Sequence, residues 1–306
     1  MLVTTIIALL AAALFGVSTA LQHRSAGLAS DACQPAERLG GFLARTFRHP
    51  LWVIGAIADI GGFALHALAL HLGPLTVVQP VLVTSIVFAV VIRQLLVRRW
   101  PRRSELAWAT SLTVGLVLFL TIATPASGVA QPADPVPATV VGVLIGFGVL
   151  GLFAVGRRYT GNAAAALLGT AAGLSYAAVA GLLKEDVGLL DRGVGVLAAS
   201  WPLYGLIVVG GFSIVVTQLA YRAGPLSSSL PTIMTVDALV SLVIGASVFD
   251  EGFRNGAVDL LGESAGLALM LAAAVGLSRS GPAPAGAPKG RAVTVAHRAP
   301  LQVSTH

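Results

Sequence analysis

The chain has 306 residues, of which 56% are hydrophobic and only 10% are charged, and its formal net charge is +6. Soluble domains carry about a quarter charged residues, so this composition excludes a soluble protein and indicates a chain that crosses a membrane several times. The positive charge does not indicate nucleic-acid binding, because the arginines fall between apolar runs, where the positive-inside rule places them. Cys33 is the only cysteine, which excludes an intramolecular disulfide and a cysteine metal cluster.

Apolar runs of roughly 20 residues follow one another along the chain, and each is long enough to cross a bilayer as a helix. The first run has no basic residue ahead of it. Because a cleaved signal peptide needs a positive leading region, we interpret this run as a membrane helix. The predicted fold class is all-α integral membrane. Its nine predicted spans lie at about 2–21, 51–72, 75–97, 105–123, 138–156, 163–183, 201–221, 226–249 and 260–278.

The segments between the spans divide the chain into two predicted transporter halves. Residues 1–123 hold the first four spans and residues 138–278 hold the other five. Between them, residues 124–137 are Pro-rich, contain no Lys or Arg, and are predicted to form an external linker. The Pro/Gly/Ala-rich tail, 279–306, is predicted to be a disordered cytoplasmic segment.

Charged residues outside the predicted spans are expected in loops. A polar loop is predicted at 23–49, and another follows the sixth span, where the sequence reads KEDVGLLDRG. Glu251 and Arg254 lie between the last two spans and are interpreted as solvated loop charges. Solvated charges at such positions require no partner in the fold.

The distribution of cations predicts the orientation. Fifteen of the 19 Lys and Arg residues fall in the odd-numbered loops and the tail, and three fall in the even-numbered loops. The positive-inside rule therefore places the N-terminus outside the cell and the C-terminus inside.

A short pattern in the third span recurs in the eighth at a constant offset of 151 residues. Gly73, Pro74 and Leu75 recur as a second Gly-Pro-Leu at 224–226. At the same offset, Pro80 recurs as Pro231 and Thr84 as Thr235. Five matches in one register, inside helix-length apolar runs, indicate a duplicated hairpin.

The two copies of this hairpin are predicted to face opposite sides of the membrane. Five predicted spans separate the turns at 73–75 and 224–226, and an odd number reverses the orientation. The sequence thus predicts an inverted repeat of four and five helices, with the first half lacking its own first helix. Inverted repeats are typical of transporters that work by alternating access.

Two acidic residues lie near the middle of predicted spans, where an ionisable group is costly and marks a functional site. Asp59 lies in span two and Asp237 in span eight. Either carboxylate would bind a cation, with Mg²⁺ as the specific candidate metal, or carry a proton. The alternative is a carboxyl group hydrogen-bonded to neighbouring helices for packing alone. His66 follows Asp59 by seven residues, on nearly the same helical face, and joins the candidate site.

The two repeated prolines each remove a backbone donor inside a span, and breaks of this kind commonly build transporter sites from freed carbonyls and nearby hydroxyls. The alternative is an ordinary kink with each hydroxyl bonded to its own helix. Gln218 in span seven is a further candidate of the same kind. The polar candidates near the breaks at Pro80 and Pro231 are Gln79, Thr84, Ser85, Ser228, Ser229 and Thr235.

The Gly-Pro-Leu turn, the Gln79-Pro80 pair and the long apolar helix after it resemble the drug/metabolite transporter superfamily. The nine-span, N-outside plan is similar to its NIPA-like magnesium transporter and EamA-like branch. The segment 13–26 resembles the first helix of that branch, and Asp59 stands where those proteins more often have Glu. FDEGF (249–253) resembles the end of their penultimate helix and puts Glu251 at its glutamate. The resemblance implies a multi-pass transporter and makes Mg²⁺ a candidate solute.

The leading functional expectation is a plasma-membrane transporter that moves a small polar or cationic solute by alternating access. A proton-coupled exporter of amines or other small metabolites is the second hypothesis, and a non-transporting scaffold or lipid-binding protein is the third. We expect no enzymatic activity, because the sequence contains no nucleophile–base pair or paired metal ligands, and no cofactor. The expected partners are membrane lipids and the solute. The sequence is compatible with a homodimer, and nucleic acid is not expected as a partner.

Overall fold

The structure is a computed structural model that describes residues 2–31, 39–96, 98, 100, 102–122, 129, 135–224, 226–251 and 257–279. Within these residues all regular structure is helical and no strand forms. The helices are α1 (Leu2–Asp31), α2 (Leu39–Arg48), α3 (Pro50–Leu72), α4 (Leu75–Leu82), α5 (Ser85–Leu96), α6 (Arg103–Ile122), α7 (Pro135–Gly156), α8 (Gly161–Leu190), α9 (Val194–Ala198), α10 (Trp201–Ala223), α11 (Leu226–Val248) and α12 (Ala257–Arg279).

Eight helical segments of the described chain are long and apolar enough to cross a membrane: α1, α3, α4 together with α5, α6, α7, α8, α10 and α11. This confirms the prediction of a multi-pass, all-α membrane protein. The ninth predicted span coincides with α12, whose apolar stretch Leu261–Leu277 is shorter than the other eight. The predicted linker at 124–137 and tail at 279–306 lie largely outside the described residues.

Two predicted loops are helical instead. α1 continues to Asp31, and α2 forms inside the segment 23–49, with Phe42 buried and Arg45 exposed. α8 likewise runs to Leu190, through the segment predicted as a loop after span six. A helix of 30 residues is about 45 Å long, which exceeds the roughly 30 Å hydrocarbon core, so its charged end extends beyond the apolar layer without leaving the helix.

The predicted break at Pro80 is present. The helix stops at Leu82 and restarts at Ser85, and the two intervening residues form a turn in which Thr84 N–H donates to the Val81 carbonyl at 3.1 Å. The matching break at Pro231 is absent, since α11 runs unbroken from Leu226 to Val248. A proline removes only one helical hydrogen bond, so a helix can continue through it when the following turn is regular.

The helices before the linker, α1–α6, are called the first group, and α7–α12 the second group. In the first group α1 packs on α3 and α5, and in the second group α8 packs on α10 and α11. Gly16 and Gly173 permit a close approach of the facing backbone in each group. A methyl group at Gly16 would lie 2.7 Å from the Ser85 carbonyl oxygen, and one at Gly173 would lie 2.7 Å from the Ile233 carbonyl oxygen.

The two groups meet along several helix pairs, and the candidate residues lie there. α1 contacts α10, α3 contacts α8, α4 contacts α11, and α6 packs on α12. One end of the bundle holds the turn at Gly73 together with the ends of α8 and α11, and we call it the Gly73 end. The opposite end holds the turn at Gly224 and the start of α8, and we call it the Gly224 end.

Candidate functional site

Asp59 lies in α3 against α1, and small residues on α3 bring the two helices together. A methyl group at Gly55 would lie 3.3 Å from the Ser18 carbonyl oxygen, and one at Gly62 would lie 3.3 Å from the Ala11 carbonyl oxygen. The hydroxyl of Ser18 donates a hydrogen bond to the Asp59 carboxylate. The predicted acid therefore faces a polar group on the neighbouring helix.

A chain of hydrogen bonds continues from Asp59 into the second group. The amide nitrogen of Gln22 donates to the Ser18 hydroxyl at 2.8 Å. The amide nitrogen of Gln218 in turn donates to the Gln22 amide oxygen at 2.8 Å. Ser18, Gln22 and Gln218 are all buried. The bonds join α3, α1 and α10, and the amide oxygen of Gln218 has no hydrogen-bond partner among the described residues.

Asp237 lies in α11 and is held by its own helix, where the Ser241 hydroxyl donates to its Oδ1 at 3.3 Å. Tyr176 of α8 interacts electrostatically with both acids. Its phenol lies within range of the negative charges of both Asp59 and Asp237. The Thr217 hydroxyl donates to the Tyr176 oxygen at 3.2 Å. The charges of both predicted acids therefore act on the same phenol.

Tyr221 of α10 adds a second phenol to this region. It hydrogen-bonds Thr19 of α1 and lies within range of the Asp59 charge. Its ring also packs edge-on against His23, with ring centroids 5.3 Å apart. Sequence reasoning missed Ser18, Gln22 and both tyrosines, because they carry no charge and lie away from the repeated prolines, and Gln22 follows the predicted end of the first span.

His66 and Gln79 meet toward the Gly73 end, as two of the predicted site residues. Both are buried, and the Gln79 amide nitrogen lies 3.4 Å from the His66 Nε2. The ring of Phe15 packs edge-on against His66, with centroids 6.1 Å apart. The amide oxygen of Gln79 has no hydrogen-bond partner among the described residues, so this pair keeps one free buried acceptor.

The other predicted hydroxyls near the proline breaks differ in their partners: some bond to their own helix, as an ordinary kink predicts, and others do not. Thr84 donates to the Val81 carbonyl at 2.7 Å, which is the bond to its own helix that the alternative interpretation expected. Ser85 instead donates across the interface to the Met234 sulfur at 3.3 Å. The hydroxyls of Ser229 and Thr235 are buried without a hydrogen-bond partner among the described residues.

The described residues offer few side chains that could bind magnesium. Among the described residues, no three His, Cys, Asp or Glu side chains lie close enough together to hold a metal ion. Mg²⁺ often keeps several waters and takes only one or two protein carboxylates, so Asp59 and Asp237 have the chemistry this ion accepts as a transported solute.

Glu251, predicted to be a solvated loop charge, is buried at the Gly73 end with 1% of its surface exposed. Its carboxylate accepts the backbone N–H groups of Leu75 and Thr76, each at 2.8 Å, and forms an ion pair with Lys184 of α8. The prediction was wrong because it treated a charge after a span as free. An anion is stabilised at a helix N-terminus, and Pro74 supplies no side-chain cap for α4.

A second buried glutamate lies at the Gly224 end. Glu105 of α6 accepts the Gln94 amide at 2.7 Å and the Arg102 backbone N–H at 2.8 Å. A guanidinium nitrogen of Arg93 lies 3.8 Å from the same carboxylate. Every one of these partners belongs to the first group of helices.

No family model matches the chain, and no solved structure matches it. The chain is similar to an uncharacterized protein of Corynebacterium glutamicum, with 30% identity over 239 residues. The matched region covers 78% of this chain and 82% of that protein.

Proposed function

The chain belongs to the same family as this Corynebacterium glutamicum protein, and from its own site we propose that it is a transporter of a small polar or cationic solute that works by alternating access. The observation that carries the proposal is the hydrogen-bonded chain from Asp59 through Ser18 and Gln22 to Gln218. It joins helices of both groups in the interior of a membrane protein, where unpaired polar groups are costly. A polar region shared by two helix groups is where alternating access would expose a solute to either side.

Helix lengths and packing support the inverted repeat on which alternating access depends. α3 and α10 both have 23 residues, and each ends at a glycine in extended conformation. α1 and α8 both have 30 residues. Each packs on the helix before the Gly-Pro-Leu turn and on the helix after it. The proposed repeat pairs α1, α3, α4/α5 and α6 with α8, α10, α11 and α12, and leaves α7 without a counterpart.

The chemistry of the site favours a positively charged or strongly polar solute. Two carboxylates in one region of the membrane interior would repel each other unless a cation or a proton lies between them. Tyr176 lies within electrostatic range of both acids and would contribute the negative face of its ring to a cation. Mg²⁺ is the specific candidate, carried with part of its hydration shell.

Proton-coupled export of an amine or other small metabolite is the second candidate function. The observation that favours it is that each acid is hydrogen-bonded by a hydroxyl, Ser18 for Asp59 and Ser241 for Asp237. A carboxyl group with such a partner can gain and lose a proton without a rearrangement of metal ligands. In either case we place the protein in the plasma membrane.

Flux into proteoliposomes tests the proposal, with Mg²⁺ and a pH gradient supplied separately. We expect the protein to catalyse flux that is lost in Asp59→Asn and in Asp237→Asn. Asp191→Asn serves as the control, because Asp191 is an exposed acid at the end of α8. Flux of Mg²⁺ that survives both site substitutions together would contradict the cation site. Flux that follows the pH gradient and ignores Mg²⁺ would favour the exporter, and no flux under any condition would favour a scaffold.

A further inference from the structure

The carboxylate of Glu251 joins three segments at the Gly73 end. It lies in the segment after α11, its own N–H donates to the Gly245 carbonyl at 3.0 Å, and its two oxygens cap the first turn of α4. One of those oxygens also pairs with Lys184 of α8. We call Glu251, Lys184 and the N–H groups of Leu75 and Thr76 the Glu251 cluster.

The Glu251 cluster excludes water. Glu251 is 1% exposed and Lys184 is 7% exposed. The Lys184 ammonium also lies 4.7 Å from the centre of the Phe249 ring, which covers it on one side. A buried charge pair with additional hydrogen bonds is held tightly, because loss of one member leaves the other charge unpaired in a medium of low dielectric constant.

The cluster crosses the boundary between the two groups of helices. α4 belongs to the first group, whereas α8 and the segment after α11 belong to the second. These helices also carry site residues: Gln79 lies in α4, Tyr176 in α8 and Asp237 in α11. Separation of α4 from α8 and α11 at this end would therefore uncover the buried face of α4 that leads to Gln79.

The Gly224 end is joined differently. Its contacts between the groups include the Gln22–Gln218 hydrogen bond, the His23–Tyr221 ring pair and the Arg222 guanidinium 4.6 Å from the centre of the Phe42 ring. The partly buried ion pair at that end, Arg93–Glu105, lies within the first group, as Lys184–Glu251 lies within the second. A cleft of about 520 Å³ also lies there, bordered by Arg157, Gly161 and Arg222. At the Gly73 end, by contrast, a buried carboxylate of the second group accepts two backbone N–H donors of the first group.

We propose that the Glu251 cluster is the gate that closes the Gly73 end of the transport pathway. The inference rests on the proposed function and adds its regulation: the pathway opens at this end when the carboxylate leaves the α4 N-terminus and Lys184. The cluster closes the pathway because a single carboxylate satisfies two helix donors and one cation from opposite groups. The gate is separate from the solute-binding acids, which lie deeper in α3 and α11.

Cysteine accessibility tests the gate without any solute. Cys33 is replaced by serine, and Thr76→Cys is the reporter, because Thr76 is fully buried behind the cluster. The probe is a charged, membrane-impermeant methanethiosulfonate applied to whole cells. Val194→Cys marks full exposure at the same end, since Val194 is 71% exposed. Arg158→Cys marks the opposite end.

With the cluster intact, we expect Thr76→Cys to be modified much more slowly than Val194→Cys. Glu251→Gln and Lys184→Met should each raise the rate at Thr76→Cys by about tenfold or more, since an unpaired buried charge favours the open arrangement. Lys184→Arg should leave the rate low, because it retains the charge. The rate at Val194→Cys should not change in any of these backgrounds.

Two results would overturn the gate. One is modification of Thr76→Cys as fast as Val194→Cys while the cluster is intact, which can be measured even if the cluster variants do not fold. The other is an unchanged slow rate in a Glu251→Gln or Lys184→Met protein that remains monodisperse. If the labelling result is as expected but proteoliposomes show no flux, the transport function is contradicted. The Glu251 cluster would then still control access to the interior at this end.

Discussion

The two hairpins that share the Gly-Pro-Leu turn have similar sequences and different surroundings. In the first, every residue from Pro74 to Ile86 is buried, the helix breaks after Leu82, and Glu251 caps its start. In the second, α11 is continuous, and Met234 and Asp237, which match Val83 and Ile86 of the first, are only partly buried. The turn motif therefore specifies a hairpin, whereas the neighbouring helices determine whether that hairpin lies at the centre or at the edge of the bundle.

Removal of the Glu251 cap should have the largest effect on the first hairpin. Glu251→Ala leaves Lys184 buried without its anion and α4 without its cap, so we expect a loss of about 3–5 kcal/mol in unfolding free energy. Thermal unfolding in detergent would measure it. The control is Asp250→Asn, which changes an exposed neighbouring acid and should cost less than about 0.5 kcal/mol. A loss no larger than that of the control would show that the cap does not hold the first hairpin.

Glycine substitutions test whether both hairpins depend on the same kind of close contact between a glycine and the backbone of the facing helix. A methyl group at Gly16 or Gly173 would lie 2.7 Å from a carbonyl oxygen of the facing helix. We therefore expect Gly16→Ala and Gly173→Ala each to cost about 1–3 kcal/mol through overpacking. Gly146→Ala is the matched control, because nothing lies within 4 Å of its added methyl group. If one of the two substitutions matches the control in the same unfolding assay, the packing of the two hairpins is not equivalent.

The smallest expected difference concerns the paired threonines of the repeat. Thr84→Val removes the hydrogen bond to the Val81 carbonyl at the helix break, and should cost about 1 kcal/mol. Thr235→Val removes a buried hydroxyl that has no hydrogen-bond partner among the described residues, and should leave stability nearly unchanged. If Thr235 contacts the solute, its substitution should lower flux all the same. Equal stability losses in the two variants would contradict the asymmetry of the hairpins.

The membrane helices were predictable because their signal is local. A run of apolar residues long enough for the hydrocarbon core identifies a span without any knowledge of its neighbours. The ends of α8 and α1 were not predictable in this way. Lys184 appeared to end a span, yet it lies in the helix and is buried, because its charge is neutralised by Glu251, 67 residues away in the chain.

The candidate site was predictable in part for the same reason. Asp59 and Asp237 carry a local signal, since a carboxylate within an apolar run is costly. Ser18, Gln22 and Tyr176 became recognisable only from their positions across helix interfaces. Pro80 and Pro231 are alike in sequence, and only the packing around them separates a broken helix from a continuous one.

We propose that Asp59 and Asp237 serve one solute site, and a double-mutant cycle on flux in proteoliposomes tests whether the two acids act together. Each single substitution to Asn should lower flux by about tenfold or more, and the double substitution should lower it no further than the more severe single one, because residues that act as a unit are not additive. Tyr176→Leu should weaken flux in the same cycle, since it removes the aromatic ring that lies within electrostatic range of both acids. Losses that multiply in the double variant, or flux unchanged by either substitution, would contradict a shared site.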